Sequence, residues 1–256
     1  MSINTYLDNL ASSLVLSDAE KRGITTSLTS LFSKIDNYFS GVSGKAVFGS
    51  YARHTILPRN VDENSDVDIM IIFDNPENHK PQAFLNRIKS FVNQSYSRSE
   101  IYQDNPTIVL ELSRIKFELI PAYYAYGTIN IPDGPSDWRY TNPYEYDKML
   151  NECNQENGYK IKPIIRLIKF WNIKKNYRFY ASFEIERKIA EELRFARYSC
   201  SSYTDYLTRA FEEIKKLPSM TNTRIDTALN HIEKAQMYES MAHDYDAECE
   251  IKKVFI

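Results

Sequence analysis

Asp66 and Asp68 stand two residues apart at the head of an apolar run made of Val67, Ile69, Met70, Ile71, Ile72 and Phe73. The run is short and rich in β-formers, so it reads as a buried strand. Side chains alternate along a strand, and the two carboxylates therefore face the same way. Like charges side by side on a buried strand repel each other and are costly to desolvate, which calls for something positive between them. A hard divalent cation meets that need: Mg²⁺ takes one or two carboxylates together with substrate phosphates. An Asp-x-Asp pair by itself is more often a solvated turn. Here it has company, because Gly49-Ser50 follows the apolar Ala46-Val47-Phe48 and precedes a helix-compatible segment. A strand, a Gly-Ser turn and a helix start present backbone N–H groups to a phosphate. The two features together suit metal-assisted phosphoryl chemistry.

The elements that must position these residues follow from periodicity. Tyr6, Leu7, Leu10 and Leu14 give a helix over 3–15. Ser17 with Glu20 forms a capping box, so a second helix starts near Asp18 and carries an apolar stripe (Ile24, Leu28, Leu31, Phe32, Ile35, Phe39) to residue 39. Gly41 and Gly44 break it before the first strand. Residues 60–65 read as a polar loop, where Asp62 and Glu63 are poorly placed to fix a metal. A helix is expected over 81–96, then strands over 107–112 and 115–122 around a Ser113-Arg114 turn. In the second strand Lys116, Glu118 and Ile120 share one face, and Phe117 and Leu119 the other. Residues 131–135 read as a turn cluster, and Asn142-Pro143 starts a helix. From Lys160 on the chain reads as helices, over 160–175, 184–196, 202–217 and 222–243, with 251–256 unassigned.

Gly49-Ser50, Arg53, Thr55 and Ser65-Asp66-Val67-Asp68 resemble the signature of the polymerase β-like nucleotidyltransferase superfamily. Within it the chain most closely resembles the bacterial CD-NTases. These are SMODS-type synthases of cyclic oligonucleotide second messengers in CBASS antiphage defence, related to animal cyclic GMP–AMP synthase and oligoadenylate synthase. The resemblance covers residues 3–195. Glu118-Leu119-Ile120-Pro121-Ala122 is similar to the family's third acidic motif, which often has Asp, and Trp138 with Thr141-Asn142-Pro143 resembles the passage that follows it. Residues 166–172 resemble the helix whose lysine, here Lys169, grips the triphosphate. Ala181-Ser182-Phe183-Glu184 resembles the Ser-Tyr pair that meets the phosphates and stacks on the base; Phe183 keeps the stacking and loses the hydroxyl.

The resemblance implies an α+β fold: a polymerase β-like mixed sheet with a long N-terminal helix (1–140), a C-terminal helical lobe (141–256) and the active site in the cleft between. Asp66, Asp68 and Glu118 would hold two Mg²⁺ ions, replaceable by Mn²⁺. Gly49, Ser50, Arg53, Thr55, Lys169, Ser182 and Phe183 would bind the nucleotide. The implied reaction joins NTPs into a cyclic di- or trinucleotide that acts on a separate effector, with a regulatory protein or nucleic-acid activator left open. Two other readings stand beside it: a transferase that adds nucleotides to an RNA, protein or small-molecule acceptor, and a silent nucleotide- or RNA-sensing module. For Glu118 the bland reading is a strand-edge acid paired with Lys116 or Arg114, and Glu111 is a weaker rival for its place.

Composition narrows the classes. The formal charge of −2 over 256 residues speaks against a constitutive nucleic-acid coat. It is unevenly spread: residues 62–77 hold six acids and no base, and residues 160–178 seven bases and no acid. A metal site facing a triphosphate clamp would look like this, and so would a solvated helix face. Cys153, Cys200 and Cys249 lack ligand spacing, and the four histidines form no zinc pattern. With no signal-peptide pattern and no apolar run long enough to span a bilayer, a monomeric cytoplasmic protein is expected.

Overall fold

The computed structural model describes residues 1–75, 77–113, 115–125, 127–218 and 223–256. The expected Ser113-Arg114 turn and the ion pair offered for Arg114 fall partly outside them. Packing divides the chain into two units. A sheet unit holds Leu16–Arg59 and Glu63–Asp147, and a helical unit holds Met1–Val15, Asn60–Asp62 and Lys148–Ile256. The division differs from one at residue 140. Helix α1 (Ile3–Ser13) buries Ile3, Tyr6, Leu7 and Ala11 in the helical unit, although it opens the chain.

In the sheet unit, Ser17 accepts from the Glu20 amide at 3.2 Å and Glu20 accepts from the Ser17 amide at 2.8 Å, so α2 (Asp18–Tyr38) starts where the sequence places it. The strands are β1 (Val42–Phe48), β2 (Asp66–Phe73), β3 (Glu100–Asp104), β4 (Thr107–Leu112), β5 (Ile115–Ala125), β6 (Thr128–Asp133) and β7 (Asp137–Thr141). Their order is β1-β2-β5-β4-β3, with β6 on the far end of β5 and β7 on β6. β2 and β5 run parallel, and the other neighbours are antiparallel.

Alternation gives the sheet two unlike faces. Val67, Ile69, Ile71, Phe73, Phe117 and Leu119 pack against α2 and α4 (Pro81–Ser95), which supply Ile24, Leu31, Ile35, Phe84, Leu85, Ile88, Phe91 and Val92. Each fully buried side chain of this size is worth about 1.5–3 kcal/mol, which makes this layer the platform. The other face carries Asp66 and Asp68, then a smaller apolar cluster of Met70, Ile72, Ile120, Ala122, Ile129 and Ile131.

β3, β6 and β7 are additions to the sequence reading. Ile131–Asp133, read as turn, end β6; the turn proper is at Gly134 (φ +74°). Trp138 lies in β7, meets Phe84 and Tyr123 edge-on, and donates its indole N–H to His79 O at 3.0 Å. The Asn142 side chain accepts from the Glu145 amide at 3.2 Å, and α5 (Pro143–Glu156) begins there.

In the helical unit, α6 (Ile161–Lys174) is the central rod, with Ile161, Ile164, Ile165, Leu167, Ile168 and Trp171 at most 1% exposed. Helices α1, α7 (Ser182–Glu192) and α8 (Tyr203–Ile214) pack on it. Helices α9 (Thr223–Ser240) and α10 (Asp244–Lys253) pair with each other. The tail is part of the core: Val254 and Phe255 are buried, and Phe255 stacks on Phe170. No helix among the described residues is long and apolar enough to cross a membrane.

Candidate active site

The strand register does the first positioning. In the parallel β2–β5 pair Asp66 lies opposite Lys116 and Asp68 opposite Glu118. Opposed residues share a face, so three carboxylates and one ammonium stand on a patch two residues square. The Lys116 ammonium lies 3.2 Å from Asp66 Oδ2 and 3.4 Å from Glu118 Oε1. Asp68 and Glu118 are only partly exposed. Burial, with the charges of Asp66 and Glu118 added, pushes the Asp68 carboxyl up to about 8. Burial and then the Asp66 charge push Glu118 up to about 7. Burial opposes the charge on Lys116, yet Asp66 and Glu118 outweigh it and hold the lysine above its usual value. The patch therefore holds more carboxyl groups than its one ammonium can neutralise, and the excess is met by retained protons that a bound cation would displace.

Gly49 closes the patch. It begins the single turn α3 (Gly49–Ala52) with φ +71°, which favours glycine. A Cβ there would sit 1.8 Å from Asp68 Oδ2. The Asp68 carboxylate is thus laid directly on the Gly49 backbone, a contact closed to every other residue type. Ser50 O accepts from the amides of Thr55 and Ile56 at 3.0 and 3.1 Å, fixing the loop that follows. Thr55 is fully buried and its hydroxyl donates to the same oxygen at 3.4 Å. Arg53 is 7% exposed, pairs with Asp147 at 3.3 Å and lies over the Tyr146 ring. Both residues, expected to touch nucleotide, are built into the support of the Gly-Ser turn.

The donor chemistry suits a hard divalent ion: three carboxylates with excess charge on rigid, adjacent strands. Their arrangement is not a finished cage, because the lysine spans two of them. Among the described residues no three His, Cys, Asp or Glu side chains are grouped to hold a metal ion. The bland partner weighed for Glu118, Lys116, is thus real, and it contacts Asp66 as well. The rival Glu111 faces the same way, opposite Lys116 on β4, but is tied to Arg59 at 2.9 Å. Asp62, read as a loop acid, is buried and accepts from Arg178 at 2.6 Å.

On the helical unit, Ser182 and Phe183 open α7; Ser182 is exposed and Phe183 50% exposed. The loop leading to them is pinned by Asn172 on α6. Its side chain donates to Tyr180 O at 2.8 Å and accepts from Asn176 at 3.0 Å. Lys169 is only 4% exposed, and its ammonium lies 2.5 Å from Glu186, itself 1% exposed. The charge of Lys169, the lysine expected to grip the triphosphate, is thus paired inside the lobe, one turn beneath Ser182. Glu186 and Asn172 were missed. The signal available was Lys169 and Asn172 inside an apolar helix, since a buried charge or amide requires a partner.

Comparison with known proteins identifies the family. Residues 1–154 match the model of the Second Messenger Oligonucleotide or Dinucleotide Synthetase (SMODS) domain. A probable cyclic nucleotide synthase of Bacillus cereus (strain VD146) is 26% identical over 218 residues, covering 66% of this chain and 65% of that protein. A cyclic AMP-AMP-AMP synthase of Acinetobacter sp. is 26% identical over 145 residues, covering 54% and 42%. The chain thus aligns with less than two thirds of the length of either relative. The CD-NTase CdnG of Bradyrhizobium diazoefficiens, solved in complex with GTP, superposes with a TM-score of 0.73 at 13% identity, over 96% of this chain and 97% of that one. That likeness shows that the two chains share a fold.

Proposed function

The chain belongs to the SMODS family of second-messenger oligonucleotide or dinucleotide synthetases, and on that premise we propose that it joins NTPs into a cyclic di- or trinucleotide. A nucleotide 2′- or 3′-hydroxyl attacks the α-phosphate of an NTP and pyrophosphate leaves. The same step repeats, each time releasing one pyrophosphate, until the second transfer closes a dinucleotide ring or the third a trinucleotide ring. The observation that carries the reading is the register-matched set Asp66, Asp68 and Glu118 with its surplus of negative charge.

Those three residues would hold Mg²⁺ or Mn²⁺. When bound, the ions would lower the pKa of the attacking hydroxyl and neutralise charge on the triphosphate. The chain's own part is positioning and charge. Gly49 lets the Asp68 carboxylate lie against the turn, and Gly49 and Ser50 are assigned to the β- and γ-phosphates. Arg53 and Thr55 keep that turn rigid. Ser182 is assigned to the phosphates and Phe183 to a base, whose face an exposed ring can cover. Lys169, sealed on Glu186, is assigned to fixing the start of α7. The product would act in antiphage signalling of the CBASS type, through a separate effector.

The test is to incubate purified protein with four NTPs and Mg²⁺ or Mn²⁺, treat with phosphatase, and identify products by mass spectrometry. A phosphatase-resistant cyclic species, lost in Asp66→Asn, is expected. Linear extension of an added RNA or protein, with no cyclic product, would sink the reading.

A further inference from the structure

Lys116 is the one feature of the patch that a two-metal scheme leaves without a task. It is not a surface lysine: its side chain is 14% exposed, and its ammonium lies within 3.4 Å of carboxylates from two strands. Register puts it there, since it stands opposite Asp66 on β2 and opposite Glu111 on β4 while Glu118 follows two residues later on the same face. Glu111, the other acid within reach, is taken by Arg59. The lysine is therefore left to Asp66 and Glu118.

We propose that Lys116 is a built-in counter-ion of the carboxylate set. It holds Asp66 and Glu118 in place before a divalent cation arrives and competes with that cation for them. The inference rests on the proposed metal-binding role of Asp66, Asp68 and Glu118. Without the lysine, Asp66 and Glu118 on two neighbouring strands would repel each other, while the charge of Arg53 acts on Asp68. With it, a cation must displace the ammonium from two carboxylates, and its affinity is set lower than the acids alone would allow. This sign separates the proposal from plain scaffolding. A structural lysine, once removed, would loosen the site and weaken metal binding; a competing lysine, once removed, would strengthen it.

The experiment uses EDTA-stripped full-length protein and Mn²⁺ as the probe, read by titration calorimetry and by the electron paramagnetic resonance of free Mn²⁺. For Lys116→Met, Mn²⁺ should bind roughly tenfold tighter or more, the scale expected when a unit charge a few ångströms from a divalent ion is removed at an intermediate dielectric. The metal-free melting temperature should fall in the same variant, and saturating Mn²⁺ should restore it. Lys116→Arg keeps the charge and should bind Mn²⁺ within a few-fold of wild type, which guards against a variant that misfolds. If wild type binds Mn²⁺ in an Asp66-dependent way and Lys116→Met binds it equally or more weakly while folded, the counter-ion role is overturned and the metal site stands. If wild type binds no Mn²⁺, both fail.

Discussion

Two charged clusters, one in each unit, have opposite electrostatic character. On the sheet, Asp66, Asp68 and Glu118 share one ammonium, and the side chains that meet Lys116 are 27% and 21% exposed. In the helical unit Lys169 and Glu186 pair one to one at 2.5 Å, with side chains 5% and 1% exposed. The helical pair is buried and matches one charge with the other. The sheet cluster has more carboxyls than it has cations in contact, and burial with mutual repulsion raises two of them to about 8 and about 7, so that near neutral pH the excess is met by retained protons. Buried charge in a finished structure is normally balanced. An unbalanced set on rigid strands is therefore what a ligand of opposite charge would complete, whereas a balanced set fastens one element to another. Both clusters lie beside family motifs, and proximity to a motif would have given them the same role. Their charge balance separates them.

The largest effect should come from breaking the unbalanced cluster. Asp66→Asn, isosteric and one charge poorer, should lower product formation on the order of 10³-fold while leaving the circular dichroism spectrum unchanged. Product counted by mass spectrometry over a time course checks it, and turnover within tenfold of wild type would remove Asp66 from the chemistry. Breaking the balanced cluster should instead be felt in the fold. Glu186→Ala strands a buried ammonium and should cost about 3–5 kcal/mol of stability. Replacing both partners with apolar residues, Lys169→Met with Glu186→Leu, should recover most of that loss in urea unfolding. A double variant as unstable as the single one would mean that the pair is more than a fastener.

The same contrast explains what could be read before the fold was known. Strand periodicity is local, so Asp66 and Asp68 were legible on one face of their strand and Glu118 beside Lys116 and Ile120 on one face of another, and parallel pairing of β2 with β5 brings them into register. Residues 18–38 were legible because a capping box and an apolar stripe agree. Partners distant in sequence were not. Nothing local says that Lys169 meets Glu186 seventeen residues on, or that Thr55 folds back on Ser50 and becomes fully buried. Helix α1 went to the wrong unit because an amphipathic stripe shows that a face is buried, not against what. The β6–β7 hairpin was missed because Pro132, Gly134 and Pro135 dominate a stretch whose Thr128-Ile129-Asn130-Ile131 alternation is a weaker signal.

A smaller effect sharpens the comparison through pH. The Asp68 carboxyl binds its proton more tightly folded, at about 8, than in an unfolded chain, near 3.9. Between those values the folded state holds a proton that the unfolded state has released. Stability in EDTA from this group therefore falls as pH rises through that window and is lost above pH 8. Asn does not titrate and resembles the protonated acid, so Asp68→Asn should melt above wild type in EDTA at pH 8.5, by roughly 3 °C or more, with the gap narrowing towards pH 6. Added Mn²⁺ should raise the melting point of wild type and leave the variant nearly unmoved. A gap independent of pH would refute the surplus of charge.

The smallest effect lies one turn away on the same helix. Phe183 and Glu186 both belong to α7, three residues apart, yet one ring is half in solvent and the other side chain is sealed. If the exposed ring covers a base, Phe183→Leu keeps much of the bulk and loses the aromatic face, worth about 1 kcal/mol or somewhat more. KM for the NTP should then rise roughly five- to tenfold with little change in kcat, because stacking on a base remote from the reacting phosphorus binds ground and transition states alike. Phe183→Tyr restores a face and should stay near wild type. Stability should move by no more than about 0.5 kcal/mol in either variant. Glu186→Gln should do the reverse, shifting the unfolding midpoint more than KM. If Phe183→Leu instead lowers the melting point and leaves KM alone, the ring is packing, and the division of α7 into a binding end and a fastening turn fails.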